Sequence, residues 1–210
     1  MTSLLLSIDS DDSTPRAVAA LLASEPIILP TDTVYGLAAI AGDTEARAKI
    51  FELKGRPDGQ ALALLVANIA QARTLVHVDD RFEALAAAFW PGGLTIVTAA
   101  VSDVADKVKA NDSTLGVRVP QQSWVRSLAA EVGPLVATSA NKHGVATPSS
   151  PAEVAELFPE TLVIDAGMGG KVASTVIRLL DGSIEVLRHG KVSEHEIRNR
   201  SCREFGDDCE

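Results

Sequence analysis

The residues able to do chemistry gather in four short segments of this 210-residue chain. In Pro30-Thr31-Asp32-Thr33-Val34-Tyr35-Gly36-Leu37, hydroxyls, a carboxylate and a phenol follow a short apolar run, and Gly36 permits close backbone approach. A polar turn satisfying its own backbone would use the same residues. Lys54-Gly55-Arg56-Pro57 fixes an ammonium and a guanidinium close together. A point charge and a fork so placed suit one polyphosphate, and they suit equally the negative end of a helix dipole. Thr138-Ser139-Ala140-Asn141 puts small hydroxyl and amide groups after an apolar run, where open α/β sheets make phosphate or sugar contacts. A helix cap competes there, but no helical pattern follows at once, and the chain runs on through Gly144, Thr147 and Pro148.

The fourth group comprises Arg118 within Gly116-Val117-Arg118-Val119-Pro120, Ser174-Thr175 and Arg188-His189-Gly190. An arginine inside an apolar strand is costly unless paired, so Arg118 needs an anionic partner. That partner is either an internal carboxylate or the carboxylate of an amino-acid ligand. Other signals carry less. No helical pattern follows Gly167-Met168-Gly169-Gly170, as a dinucleotide-binding loop requires. The sequence holds no Walker A motif and no nucleophile elbow. His77, His143, His189 and His195 lack metal-site spacing, and Cys202 and Cys209 sit in the polar tail, where a disulfide would close a small loop outside the core.

Strands expected at Leu4–Ile8, Ile27–Leu29, Ala61–Val66, Leu94–Ala99, Leu115–Val119, Leu135–Ala137, Leu162–Asp165 and Ser174–Leu180 carry these segments at their ends. Asp181-Gly182 signals a hairpin from the last of these to Ile184–Arg188. Between them lie amphipathic stretches. Thr14 with Pro15 opens a helix to Leu22, and Asp43 caps one with Ala46, Ile50 and Leu53 inward. Helical patterns near Ala70–Val76 and Arg81–Phe89 precede the break at Trp90-Pro91-Gly92-Gly93. Ser150 and Ser193, each with Glu three residues on, form capping boxes, and beyond Asn199 the tail turns polar and mobile. Strand–helix alternation with embedded hairpins gives an α/β class with a mixed sheet. The expected division is residues 1–192 as one domain and 193–210 as a short helix and acidic tail.

Composition limits the function classes. With 46% hydrophobic and 22% charged residues the chain can bury a sizeable core. It has no apolar run long enough for a bilayer and no basic leader region, so a cytoplasmic protein without membrane attachment is expected. A net charge of -9 opposes general adhesion to nucleic acid while allowing a local basic cleft.

Taken in order, PTDTVYGL, KGRP, WPGGLT, GVRVP, TSAN, ASTVI and LRHG over about Leu22–Gly190 resemble the YrdC-like threonylcarbamoyl-AMP synthase family. The resemblance implies a single domain whose twisted mixed sheet and helices surround a deep central cavity. It implies a nucleotidyltransferase that converts L-threonine, bicarbonate and ATP, with Mg2+, into threonylcarbamoyl-AMP and pyrophosphate for tRNA modification. Downstream tRNA threonylcarbamoyl-transferase proteins would be its partners, and a basic cavity would offer an RNA contact. By position in the motifs, Thr33, Arg118, Ala137 and Ser174 would contact threonine. Lys54, Arg56, Ser139, Asn141 and Arg188 would line the triphosphate path, with Gln60, Thr114 and Thr147 as further ATP contacts and Lys54 and Arg56 as the catalytic pair. No metal-binding side chain is implied. Longer members often carry Asn-Pro-Leu after KxRP and a His in the next strand, whereas Gln60-Ala61-Leu62 and Leu65 stand here. An RNA-binding module, or a paralogue without synthase activity, is the competing reading.

Overall fold

Alternation in Ile27-Ile28-Leu29 sends successive side chains to opposite faces of the sheet, and both faces are covered. Ile27 and Leu29 belong to one apolar layer, with Leu21, Val125 and Leu128 of two helices. Ile28 belongs to the other, with Ile50, Phe82 and Leu85. A computed structural model of the chain describes residues 4–55, 62–101, 113–142 and 144–205. Arg56, Gln60, His143 and Cys209 therefore lie outside the described residues.

The strands are β1 (Leu5–Ser7), β2 (Ile27–Leu29), β3 (Gly36–Ile40), β4 (Ala63–Leu65), β5 (Leu94–Ala99), β6 (Thr114–Arg118), β7 (Leu135–Ser139), β8 (Leu162–Asp165), β9 (Thr175–Leu180) and β10 (Ser183–Arg188). Among the described residues the helices are α1 (Ser13–Leu22), α2 (Thr44–Lys54), α3 (Ile69–Arg73), α4 (Asp80–Phe89), α5 (Ser123–Val132), α6 (Pro151–Leu157) and α7 (Glu194–Phe205). All ten strands join one sheet in the order β1-β8-β2-β3-β7-β4-β6-β5-β9-β10. The pairs β1–β8, β2–β8, β4–β6 and β5–β9 are parallel and the others antiparallel, which makes the sheet mixed. Register brings distant motifs together: Gly36 lies opposite Ser139, Leu65 opposite Arg118, and Leu94 opposite Thr175.

Local signals acted mostly as expected. Asp43 Oδ1 accepts from Ala46 N at 2.9 Å to open α2, and Gly55 closes that helix at φ 60°. Asp181 and Gly182 both take positive φ, as a tight hairpin turn requires. Around Ser193 the capping box is reciprocal: Ser193 N donates to Glu196 Oε2 at 2.9 Å, and Glu196 N to Ser193 Oγ at 3.2 Å.

Several expectations need correction. Thr14 does not cap α1, which already begins at Ser13. Its Oγ1 instead accepts from Trp124 Nε1 at 3.0 Å, a tertiary bond that ties α1 to α5. Ser150 stands at the N-cap of α6 with Pro151 following, yet its side chain makes no capping bond. The last helix does not give way to a tail at Asn199. It continues to Phe205 because Ile197 is fully buried and Arg81 stacks over the Phe205 ring at 5.0 Å. Strand β3 and helix α5 were not anticipated.

Candidate active site

The segment that follows β2, strands β4, β5, β6 and β7, the start of β9 and the end of β10 surround a cavity of about 550 Å3. Arg118 closes one corner, 4% exposed. Its Nε donates to Gly92 O at 2.8 Å, Nη1 to Thr33 Oγ1 at 2.8 Å and Nη2 to Asp32 Oδ1 at 2.6 Å. A guanidinium has five N–H groups; with these three used, two remain for a ligand. Asp32 thus answers half of the question posed by the sequence: Arg118 does have an internal carboxylate, and Arg118 itself also lines the cavity. Asp32 Oδ1 also accepts from Gln121 N at 2.9 Å, and Lys191 Nζ reaches its Oδ2 at 3.3 Å and its backbone O at 2.7 Å. Burial pushes the Asp32 carboxyl up, but Arg118, Gln121 N–H and Lys191 outweigh it and hold the group below its usual value. Burial, with Arg188 as a like-charged neighbour, lowers Arg118 against the opposing pull of Asp32.

Thr33 is oriented by its neighbours. Thr31 Oγ1 donates to Val34 O at 2.6 Å, so in the 2.9 Å contact between Thr31 and Thr33 the proton belongs to Thr33. Thr33 Oγ1 then donates once and accepts once from Arg118, leaving one lone pair for a ligand donor such as an amine or hydroxyl. The loop at Gly167–Gly170 holds this segment from behind. Tyr35 OH donates to Gly167 O at 2.7 Å, and a side chain at Gly170 would collide with the carbonyl of Thr33. Gly170 thus lets backbone pack on backbone and Gly169 lets it pack on the Tyr35 ring, roles that the sequence did not reveal.

Opposite this corner, Arg188 donates from Nε and Nη2 to Ser174 O at 3.1 and 3.0 Å, and from Nη2 to Ser174 Oγ at 3.0 Å. Ser174 Oγ shares a 2.9 Å hydrogen bond with Thr95 Oγ1, so its position is fixed from the floor of the cavity. Burial lowers the pKa of Arg188. Lys54, the last residue of α2, is 3% exposed. Its Nζ donates to Ser139 O at 2.5 Å, Asn141 O at 2.9 Å and Asn141 Oδ1 at 3.0 Å, joining the KGRP and TSAN segments. Ser139 Oγ donates to the same Asn141 Oδ1 at 2.6 Å.

Of the residues singled out in the sequence, Thr33, Thr114, Arg118, Ala137, Ser139, Thr147, Ser174 and Arg188 line the cavity. Lys54 and Asn141 stand just behind its wall, bonded to one another and to Ser139. Arg47 and Arg178 also line it, and sequence reasoning missed both. Each sits inside a regular element, α2 or β9, and outside the quoted motifs; packing of α2 brings Arg47 to the cavity, and the sheet register brings Arg178. Among the described residues, no group of three or more His, Cys, Asp or Glu side chains could hold a metal ion. None of their helices is long and apolar enough to cross a membrane.

The Sua5/YciO/YrdC family model, described as telomere recombination, matches residues 19–190. Threonylcarbamoyl-AMP synthase of Bacillus subtilis (strain 168) is 34% identical over 194 residues, covering 90% of this chain and 56% of that protein. Threonylcarbamoyl-AMP synthase of Mus musculus is 32% identical over 189 residues, covering 85% and 67%. The chain thus spans little more than half the length of the Bacillus relative. Among solved structures, P. abyssi Sua5 complexed with L-threonine superimposes with a TM-score of 0.85 at 32% identity, over 95% of this chain and 61% of that one. E. coli YciO superimposes with a TM-score of 0.84 at 25% identity, over 93% and 100%. Matched over most of its length by family model, by relatives and by fold, the chain belongs to the Sua5/YciO/YrdC family.

Proposed function

We propose that this chain is a nucleotidyltransferase that makes threonylcarbamoyl-AMP from L-threonine, bicarbonate and ATP. The observation that carries the reading is the Arg118 corner: a buried guanidinium with spare N–H groups beside a hydroxyl with a spare lone pair. An α-amino acid matches it, carboxylate to Arg118 and amine or side-chain hydroxyl to Thr33. The relatives' names and the threonine complex of P. abyssi Sua5 support the same assignment.

In this reading the neutral threonine nitrogen attacks carbon dioxide: the N–C bond forms as one C=O π bond opens onto oxygen, and the nitrogen loses a proton to water, giving a carbamate. Starting from bicarbonate, one water leaves in the same conversion. A carbamate oxygen then attacks the α-phosphorus of ATP, the bond to the β-phosphate oxygen breaks, and pyrophosphate leaves. The protein's part is positioning and charge stabilisation. Arg118, Thr33 and Ser174 hold the amino acid, while Arg188 and the Lys54–Ser139–Asn141 cluster flank the phosphates with Thr114 and Thr147 nearby. Arg56 and Gln60 are assigned to the nucleotide by their place in the motif. Mg2+ would neutralise charge on the phosphates. Because few protein carboxylates approach the cavity, it would be held by phosphate oxygens and water, with hydroxyls such as Ser139 and Thr147 within the same wall.

The test is incubation with ATP, bicarbonate and labelled threonine, followed by mass detection of the adenylate and assay of pyrophosphate. Adenylate that depends on all three substrates is the expected result. A folded protein that yields none would sink the assignment.

A further inference from the structure

Lys191 lies just past β10, outside every segment that the sequence singled out, and its placement is built rather than incidental. Its N–H donates to Ala173 O at 2.9 Å, and a side chain at the preceding Gly190 would run into the backbone of Ala173 to Thr175. The aliphatic stem crosses Gly93 so closely that a methyl group there would lie 2.9 Å from Lys191 Cβ and Cδ. The ammonium then reaches Asp32 twice, at the backbone oxygen and at Oδ2.

We propose that Lys191 is a positioning residue that neutralises Asp32, so that the carboxylate orienting Arg118 does not cancel the positive charge offered to the substrate's carboxylate. The inference rests on the reading of this corner as a threonine site. Arg118 and Asp32 alone sum to zero charge, and a neutral pair attracts an anion poorly. With Lys191 the corner carries one positive charge, and the amino acid's carboxylate completes the balance. The lysine accomplishes this from outside the cavity, 41% exposed in its side chain, leaving the cavity wall to the substrate. Because the stem is already seated on Gly93, little side-chain freedom is lost in holding the contact.

Lys191→Met in the full chain keeps the stem and removes the charge. Calorimetry with L-threonine, kinetics for threonine and ATP, and the NMR titration of the Asp32 carboxyl supply the readouts. Threonine affinity should fall roughly fivefold, the scale of a half-exposed ion pair. The ATP KM should move by less than about twofold, the Asp32 titration should rise, and Lys191→Arg should recover most of the affinity. Unaltered threonine affinity overturns the proposal, as do equal losses for threonine and ATP. A wild-type chain that binds no threonine rejects the substrate reading itself, before any variant is compared.

Discussion

The two sides of the cavity hold their cations in different ways. Arg118 rests on a carboxylate, Asp32, whereas Arg188 rests on the carbonyl and hydroxyl of Ser174. Lys54 likewise donates to the oxygens of Ser139 and Asn141, none of which is ionised. A carboxylate partner fixes a guanidinium firmly but spends its charge, so that corner suits a single carboxylate and leans on Lys191 for the balance. Neutral oxygens orient a cation without cancelling it. That side keeps its charge for a polyanion at the cost of desolvation, seen in the lowered pKa of Arg188. The contrast matches a monoanionic amino acid on one flank and a triphosphate on the other.

Removing Arg118 attacks the contrast most directly. Arg118→Ala should weaken threonine binding by roughly 2–5 kcal/mol, because Asp32 is left buried with its main partner gone. ATP binding should suffer far less. Separate calorimetric titrations would decide, and equal losses would mean that the two flanks are not distinct. Lys54→Met comes next. It should suppress pyrophosphate release while threonine still binds, and should lower stability by about 1–3 kcal/mol through the stranded oxygens of Ser139 and Asn141. Loss of threonine binding as severe as the loss of turnover would break the division.

Acid offers a third test, because Arg118 rests on a carboxylate whereas Arg188 rests on the oxygens of Ser174. The Asp32 carboxyl is held below its usual value in the fold, so the unfolded chain binds more protons at that group. Its stabilisation is fully present above the ordinary carboxylate value and is lost as pH falls through the lower, folded value. Denaturant midpoints measured from neutral pH into acid should therefore show a limb that Asp32→Asn flattens. Arg188→Met should leave that limb in place, since the oxygens of Ser174 do not titrate. Both variants flattening it equally would show that the acid response does not belong to the Arg118 corner.

The same contrast explains what the sequence could and could not say. Segments whose meaning is local were legible: the Asp43 cap, the Asp181-Gly182 turn and the Ser193–Glu196 box each involve residues a few positions apart. The motif order located most of the cavity's polar lining, because strand ends bring polar residues to one rim. The identity of Arg118's partner was left open between a ligand and an internal group, since Asp32 is 86 positions away and only register joins them. Lys191, 159 positions from Asp32, was invisible for the same reason. Thr14 and Ser150 show the converse failure. Both carry cap-forming side chains, but Thr14 Oγ1 is taken by Trp124 of a different helix, and no feature of the structure explains why the Ser150 hydroxyl leaves its cap unmade.

The smallest effect should come from Arg178, which marks how far the phosphate side extends. It lines the cavity, yet its Nη1 pairs with Glu185 across the β9–β10 hairpin at 2.9 Å, with side-chain exposures of 43% and 59%. A pair so open to water contributes about 0–1 kcal/mol and weakens with salt. Unlike Arg118, Arg178 is therefore not held in place by burial, and unlike Arg188 it rests on a carboxylate rather than on the oxygens of Ser174. Arg178→Gln should change the ATP KM by no more than about threefold and leave threonine affinity alone, with the difference vanishing at high salt. A loss as large as that of Lys54→Met would move the boundary of the polyanion site out along the hairpin. The flank would then include a cation paired with a carboxylate, and neutral partners would cease to be what distinguishes it.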